Sequence, residues 1–268
     1  MDFNYSLVAD NFSNKVEDYL INAKIQKIVA NKISIFINQY FNFQNSDTAN
    51  SIKANAHILD IGSGAGFVFD NLKKNFKNKF NHHHFYELDL SLKMLKKSPQ
   101  HLTERFQICG DFNFLPFQNQ SFDLITSSFA LQWSDDLALT LKKIYDILKQ
   151  NGLLIIALPT SESFRNFSNL PFRINKMPDA FKIKKILNKS GLVEKFYFQE
   201  TCYEKFDNSI QALKYFKKIG ANYILRNLDE SDLNDFRKLR NFYLKNYQTN
   251  LSFEIDWAIS YFIYSKNV

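Results

Sequence analysis

Residues 60 to 66 read Asp60-Ile61-Gly62-Ser63-Gly64-Ala65-Gly66, after a strand-like run and before a helix-like one. Glycines without Cβ let the backbone turn tightly and lie against a ligand at a helix N-terminus. A dinucleotide fold of the G-x-G-x-x-G type would place glycine at 67, where Phe67 stands. A P-loop would end in Gly-Lys-Ser/Thr, which is absent here. The acid before the turn, Asp60, is a poor neighbour for a pyrophosphate but a good one for a cation such as a sulfonium amino acid.

Acids also close the next strand-like runs. Glu87-Leu88-Asp89-Leu90-Ser91 ends the second, and a carboxylate at Asp89 can accept both hydroxyls of a ribose. Glu87, on the same face, reads as a solvated strand end. Cys109-Gly110-Asp111-Phe112 ends the third. There Asp111 can accept from an adenine amino group while Phe112 offers a backbone donor. Each acid alone also suits a plain solvated turn. As a set they lie at successive strand ends, where ligands of open α/β sheets sit.

The elements that must position them follow from periodicity. Apolar residues at helical spacing over 11–40 predict one or two helices, and the polar stretch 42–55 a linker. Strands are expected at 57–61, 85–88, 106–109, 122–126, 153–158, 192–198 and 251–264. Helices are expected at 67–76, through Met94 and Leu95, and at 137–148, 179–189, 209–219 and 231–247. The run 153–158 is apolar throughout, so it belongs to a strand buried on both faces. Repeated β-α-β units predict an α/β fold: a doubly wound, seven-stranded, mostly parallel sheet. N-terminal helices precede it, and a helical insertion precedes the last strand. Residues 1–55 read as a helical lid and linker, and 56–268 as the main domain, with insertions at about 160–178 and 207–250.

Composition narrows the setting. The chain has 268 residues, 45% of them hydrophobic, enough for a substantial core. No apolar run reaches the roughly 18 residues that span a bilayer, and the start lacks the pattern of a secretory signal. Cys109 and Cys202 are too few for a disulfide framework or a four-ligand zinc site, so a cytoplasmic location and no membrane association are expected. The charge of +7 suits an acidic partner without choosing among nucleic acid, protein and lipid. In His82-His83-His84, neighbouring side chains on one strand point oppositely, so no metal site is expected.

The motifs together resemble class I methyltransferases. Those that carry the likeness are Asp60-x-Gly62-x-Gly64-x-Gly66, Leu88-Asp89-Leu90-Ser91 with Met94, Gly110-Asp111 with Leu115-Pro116-Phe117, and Ser121-Phe122-Asp123-Leu124. The resemblance implies S-adenosylmethionine as cofactor. Asp60, Gly62, Gly64 and Gly66 would lie near its methionine moiety, Asp89 on the ribose and Asp111 on the adenine, with Leu90, Met94 and Phe112 beside them.

Outside that core, Phe129-Ala130-Leu131-Gln132-Trp133 resembles the malonyl-acyl-carrier-protein O-methyltransferases of biotin synthesis, the BioC family. So do Phe12, Tyr19, Ala23 and Gln26, Ser209-Ile210-Gln211-Ala212-Leu213, and Lys217-Lys218-Ile219-Gly220-Ala221. Membership would imply methyl transfer to the free carboxylate of a malonyl thioester on an acyl carrier protein. Tyr19 and Gln132 would line the methyl-transfer pocket, and Trp133 would pack. Arg165, Arg173, Lys182 and Lys185 lie in a basic segment that suits an acidic carrier protein; an ordinary solvated lysine face is the plain alternative. Three rivals remain. They are a BioC-like complex I assembly protein of the arginine-hydroxylase type, an RNA methyltransferase suggested by charge alone, and a cofactor-binding scaffold without transfer.

Overall fold

The computed structural model describes residues 12–43, 55–76, 80, 82–99, 105–165, 177–207, 209–219 and 253–267. Two helices open it, α1 (Val16–Asn22) and α2 (Lys24–Phe43), separated by Ala23, whose ψ of 55° leaves the helical region. Then β1 (His57–Ile61), α3 (Phe67–Phe76), β2 (His84–Asp89), α4 (Leu92–Leu95) and β3 (Arg105–Cys109) follow. The chain continues through β4 (Phe122–Ser128), α5 (Leu137–Ile147), β5 (Leu148–Pro159) and α6 (Ala180–Lys189). It ends with β6 (Leu192–Phe206), α7 (Ser209–Lys218) and β7 (Phe253–Lys266). The helix expected at 231–247 lies outside the described residues.

The seven strands form one sheet in the order β3-β2-β1-β4-β5-β7-β6, with β7 antiparallel to both its neighbours. Chain order reverses between β1 and β4, which opens a crevice at the carboxyl ends of those strands. β6 runs well past the expected 192–198 because β7 pairs with it as far as Phe206↔Phe253.

Alternation along each strand divides the core. Leu153, Ile155 and Ala157 of β5 meet α2, α3 and α7 through Val29, Ile33, Phe69 and Tyr215. Leu154, Ile156 and Leu158 face Leu141 and Ile144 of α5 and Ile183 and Leu187 of α6. This explains the unbroken apolar run, since each leucine and isoleucine in it is buried at roughly 2 kcal/mol. Local signals start the helices. Asp136 accepts from Leu139 N at 3.0 Å at the head of α5, and Asp179 from Lys182 N at 2.8 Å at the head of α6. His83 has a structural part: it is buried, and its Nδ1 accepts from Ala56 N at 3.1 Å. Among the described residues, no helix is long and apolar enough to cross a membrane.

Candidate functional site

An open cleft of about 670 Å³ lies over the crevice. Successive strand ends supply its floor: Gly62 and Gly64 after β1, Asp89 and Leu90 after β2, Asp111 and Phe112 after β3, and Ser128 to Ala130 after β4. Phe12, Tyr19 and Trp133 form an aromatic side, and Ser91 and Met94 of the α4 turn complete the lining. The largely apolar lining with a few converging acids suits a nucleoside ligand.

The turn after β1 needs its glycines. Gly62, Gly64 and Gly66 have φ of 67°, 56° and 74°. A Cβ on Gly62 would strike the Ala130 Cβ, so the β1 turn and the segment after β4 touch there. The amides of Gly62 and Ser63 donate to Leu88 O at 2.7 and 3.1 Å, which docks the turn on β2.

Asp89 holds the loop as well as facing the cleft. Its Oδ2 accepts from Gly64 N at 2.8 Å and its Oδ1 from Ser91 N at 2.8 Å. Enclosure pushes its pKa up to about 6 against those two hydrogen bonds, with Glu87 adding to the rise. Asp111 caps the turn Phe112–Phe114, its Oδ1 accepting from Asn113 N at 2.8 Å and Asn113 Nδ2 at 2.7 Å.

Asp60 stands beneath the cleft and does not line it. It is 1% exposed and accepts from Thr126 Oγ1 at 2.8 Å. Burial raises its pKa to about 8; Glu87 and Asp89 add to the rise, while Thr126 and Arg105 oppose it. Gly66 also turns away from the lining, toward Ser98, Arg105 and Glu87. The other cofactor candidates, Gly62, Gly64, Asp89, Leu90, Met94, Asp111 and Phe112, line one cleft. Glu87 corrects the sequence reading. It is fully buried and paired with Arg105, because its strand position faces inward under the glycine turn.

Tyr19 reaches the cleft from α1, its ring stacked on Phe67 at 5.9 Å and set edge-on to Phe12 at 6.0 Å. Phe67 thus occupies the position where a dinucleotide fold has glycine, and supports the tyrosine. Burial, with Asp89 adding, raises the Tyr19 pKa above its ordinary value. Contacts from Ser13 Oγ to Ser91 Oγ at 2.7 Å and from Lys97 to Glu17 at 2.5 Å fasten α1 and the residues before it to the two ends of α4.

Gln132 and Trp133 exchange their expected parts. Trp133 lines the cleft, whereas Gln132 does not: its Nε2 donates to Phe129 O at 2.8 Å. The short 3-10 turn Leu131–Trp133 rotates successive side chains apart, and periodicity could not reveal it. Phe129, at the head of the same motif, also lines the cleft; its amide donates to Ala157 O, and its φ of 54° is a backbone shape that carries no sequence signal.

Among the described residues, the cleft lining contains no Lys or Arg. Arg165 pairs through Nε with Oδ2 of buried Asp256 at 2.9 Å. Lys182 and Lys185 are exposed on α6, and Arg173 lies outside the described residues.

Residues 59–156 match a methyltransferase domain family. A malonyl-[acyl-carrier protein] O-methyltransferase of Hamiltonella defensa is 24% identical over 267 residues, spanning 96% of this chain and 95% of that protein. Its counterpart from Priestia megaterium is 34% identical over 157 residues, 58% of this chain and 52% of that one. A human mitochondrial arginine-hydroxylase is 35% identical over 100 residues, but these cover 37% of this chain and only 28% of that protein. In fold, the chain resembles a Bacillus halodurans protein assigned as a methyltransferase, with TM-score 0.55, 16% identity and coverage of 82% and 96%. It also resembles phosphoethanolamine N-methyltransferase 2 of Haemonchus contortus, solved with S-adenosylmethionine, with TM-score 0.51, 16% identity and coverage of 88% and 53%. The sheet order, the acid-and-glycine cleft and these likenesses together make the chain an S-adenosylmethionine-dependent methyltransferase of the class I fold, similar over nearly its whole length to malonyl-[acyl-carrier protein] O-methyltransferases.

Proposed function

We propose that the protein methylates the free carboxylate of a malonyl group on an acyl carrier protein, giving the methyl ester primer of biotin synthesis. The observation that carries this reading is the match to malonyl-acyl-carrier-protein O-methyltransferases over nearly the whole chain, acceptor-side segments included. The match to the arginine-hydroxylase is confined to 100 residues and speaks for the shared core alone.

The cleft fits the cofactor by the chemistry of its lining. Asp89 has lone pairs left for ribose hydroxyls, and Asp111 with the Phe112 amide suits an adenine edge. Asp60, under the glycine turn, supplies negative charge for the methionine end once the bound cation draws off its proton. S-adenosylmethionine brings a methyl group on a sulfonium, a good leaving group. The acceptor carboxylate is already ionised at neutral pH, so the chemistry needs no general base. What remains for the protein is alignment and removal of water from the nucleophile, the part assigned to the aromatic side with Tyr19 and Trp133.

Residues 1–55 act as lid and linker to the methyltransferase domain 56–268, in a protein that works in the cytoplasm. Arg165, Lys182 and Lys185 are the basic residues offered to the acidic carrier, and Arg173 is assigned to it from the sequence alone. Gln132 acts behind the pocket wall by holding the Phe129 carbonyl.

The test is to incubate the protein with labelled S-adenosylmethionine and malonyl-acyl carrier protein and to locate the methyl group by mass spectrometry. A methyl ester on the malonyl group, absent with acetyl-carrier protein and lost on Asp60→Ala, is the expected result. Cofactor binding without transfer overturns the acceptor assignment and turns the search to protein arginine and RNA.

A further inference from the structure

Behind the glycine turn lies a buried charge pair that does not line the cleft. Glu87 Oε2 receives Arg105 Nε at 2.7 Å, and Arg105 Nη2 meets Oε1. Ser98 Oγ donates to Oε1 at 2.9 Å and Gln107 Nε2 to Oε2 at 3.1 Å. Both side chains are hidden, at 0% exposure for Glu87 and 5% for Arg105. Arg105 also reaches the Pro99 carbonyl, and Gln107 donates to Leu95 O at 2.7 Å, tying in the helix that carries Met94. A Cβ on Gly66 would enter this cluster, so the glycine turn rests directly on it.

A buried carboxylate without a counter-charge is costly, and the fork of a guanidinium matches it with two parallel contacts. The consequence reaches the site. Asp60 feels Glu87 and Asp89 from β2 and Arg105 from β3, beside the uncharged Thr126 of β4. Asp89 feels Glu87 as well, and it faces Tyr19 of α1. Glu87 pushes both aspartates toward protonation, whereas Arg105 pulls Asp60 the other way.

We propose that Arg105 is a positioning residue for the cofactor: paired with Glu87 behind the turn, it sets the charge that S-adenosylmethionine meets at Asp60. The inference rests on the cleft assignment made above.

Titration calorimetry of S-adenosylmethionine from about pH 6 to about pH 9 tests it, using the natural chain, Arg105→Met, Glu87→Gln and the double variant. Arg105→Met is expected to bind at least about tenfold more weakly near pH 7, its affinity rising only at pH values about one unit higher. Glu87→Gln moves the profile the other way. The double variant, which restores the charge balance without the pair, recovers affinity to within about threefold of the natural chain. A double variant as weak as Arg105→Met, or a loss with an unmoved pH profile, overturns the proposal and leaves the pair a structural brace. Should Arg105→Met not fold, Glu87→Gln decides: an unmoved profile refutes the idea. Undiminished binding by Asp89→Asn is a separate failure, that of the cleft assignment itself.

Discussion

The amide of Gly64 donates a 2.8 Å hydrogen bond to Oδ2 of Asp89, joining the turn after β1 to the acid that ends β2. With Ser91 N on the other oxygen, the carboxylate is oriented before a ligand arrives. Asp89→Asn keeps the shape but sets an amide donor against a backbone N–H and removes the charge. Affinity for S-adenosylmethionine should fall about 10- to 100-fold, roughly 1.4–3 kcal/mol, by calorimetry. A variant that binds as tightly as the natural chain would show that Asp89 only fastens the turn.

Cofactor affinity should rise with pH. The free protein holds Asp60 at about 8 and Asp89 at about 6, so both retain protons above the ordinary carboxylate range. A cationic ligand favours the ionised forms, so binding releases protons and tightens as pH climbs through those values. The same linkage makes the free protein lose stability as pH rises from about 4 toward 8, because its folded state binds more protons than the unfolded chain. Thermal shift by saturating cofactor, read at several pH values, should therefore grow from about pH 6 to about pH 9. A flat or falling shift contradicts the assignment.

Gly62→Ala should cripple the turn. It forces a side chain onto a φ of 67° and into the Ala130 Cβ. Strain of about 1–2 kcal/mol adds to overpacking of about 1–3 kcal/mol. Ala130→Gly removes the collision but not the strain, so the pair should regain part of the lost melting temperature. No regain in the double variant would mean that the Ala130 contact is not what limits residue 62.

Tyr19 separates packing from chemistry. Its pKa lies above the ordinary phenol value, so its ionisation should add no limb to the pH profile of transfer below about pH 10. Tyr19→Phe keeps the stack on Phe67 and should leave cofactor affinity within about twofold while slowing transfer roughly fivefold, the worth of one hydrogen bond. Tyr19→Ala loses the stack as well and should destabilise the protein by about 2–3 kcal/mol, measured by urea denaturation. Equal transfer rates for Tyr19→Phe and the natural chain would confine the residue to packing.

The glycine spacing, the acids at 60, 89 and 111, and the apolar run Leu153 to Leu158 were all legible in the sequence. They depend on short-range requirements: a backbone that must turn, a strand end that must carry an acid, a strand covered on both faces. Gln132 and Trp133 were not separable, because a 3-10 turn decides which of two adjacent side chains enters the cleft.

The sequence by itself determined the α/β fold, since hydrophobic periodicity is local and repeats from unit to unit, and its Asp-Gly motif pointed to the cofactor through its resemblance to class I methyltransferases. Only the tertiary structure decided how the acids divide their work. Asp89 faces the cleft and clamps Gly64, Asp60 lies beneath with Thr126, and Glu87 turns from an expected solvated end into the buried partner of Arg105. The physical reason is that burial and counter-charge depend on which strands are neighbours, and β1, β2 and β3 bring together residues far apart in the chain.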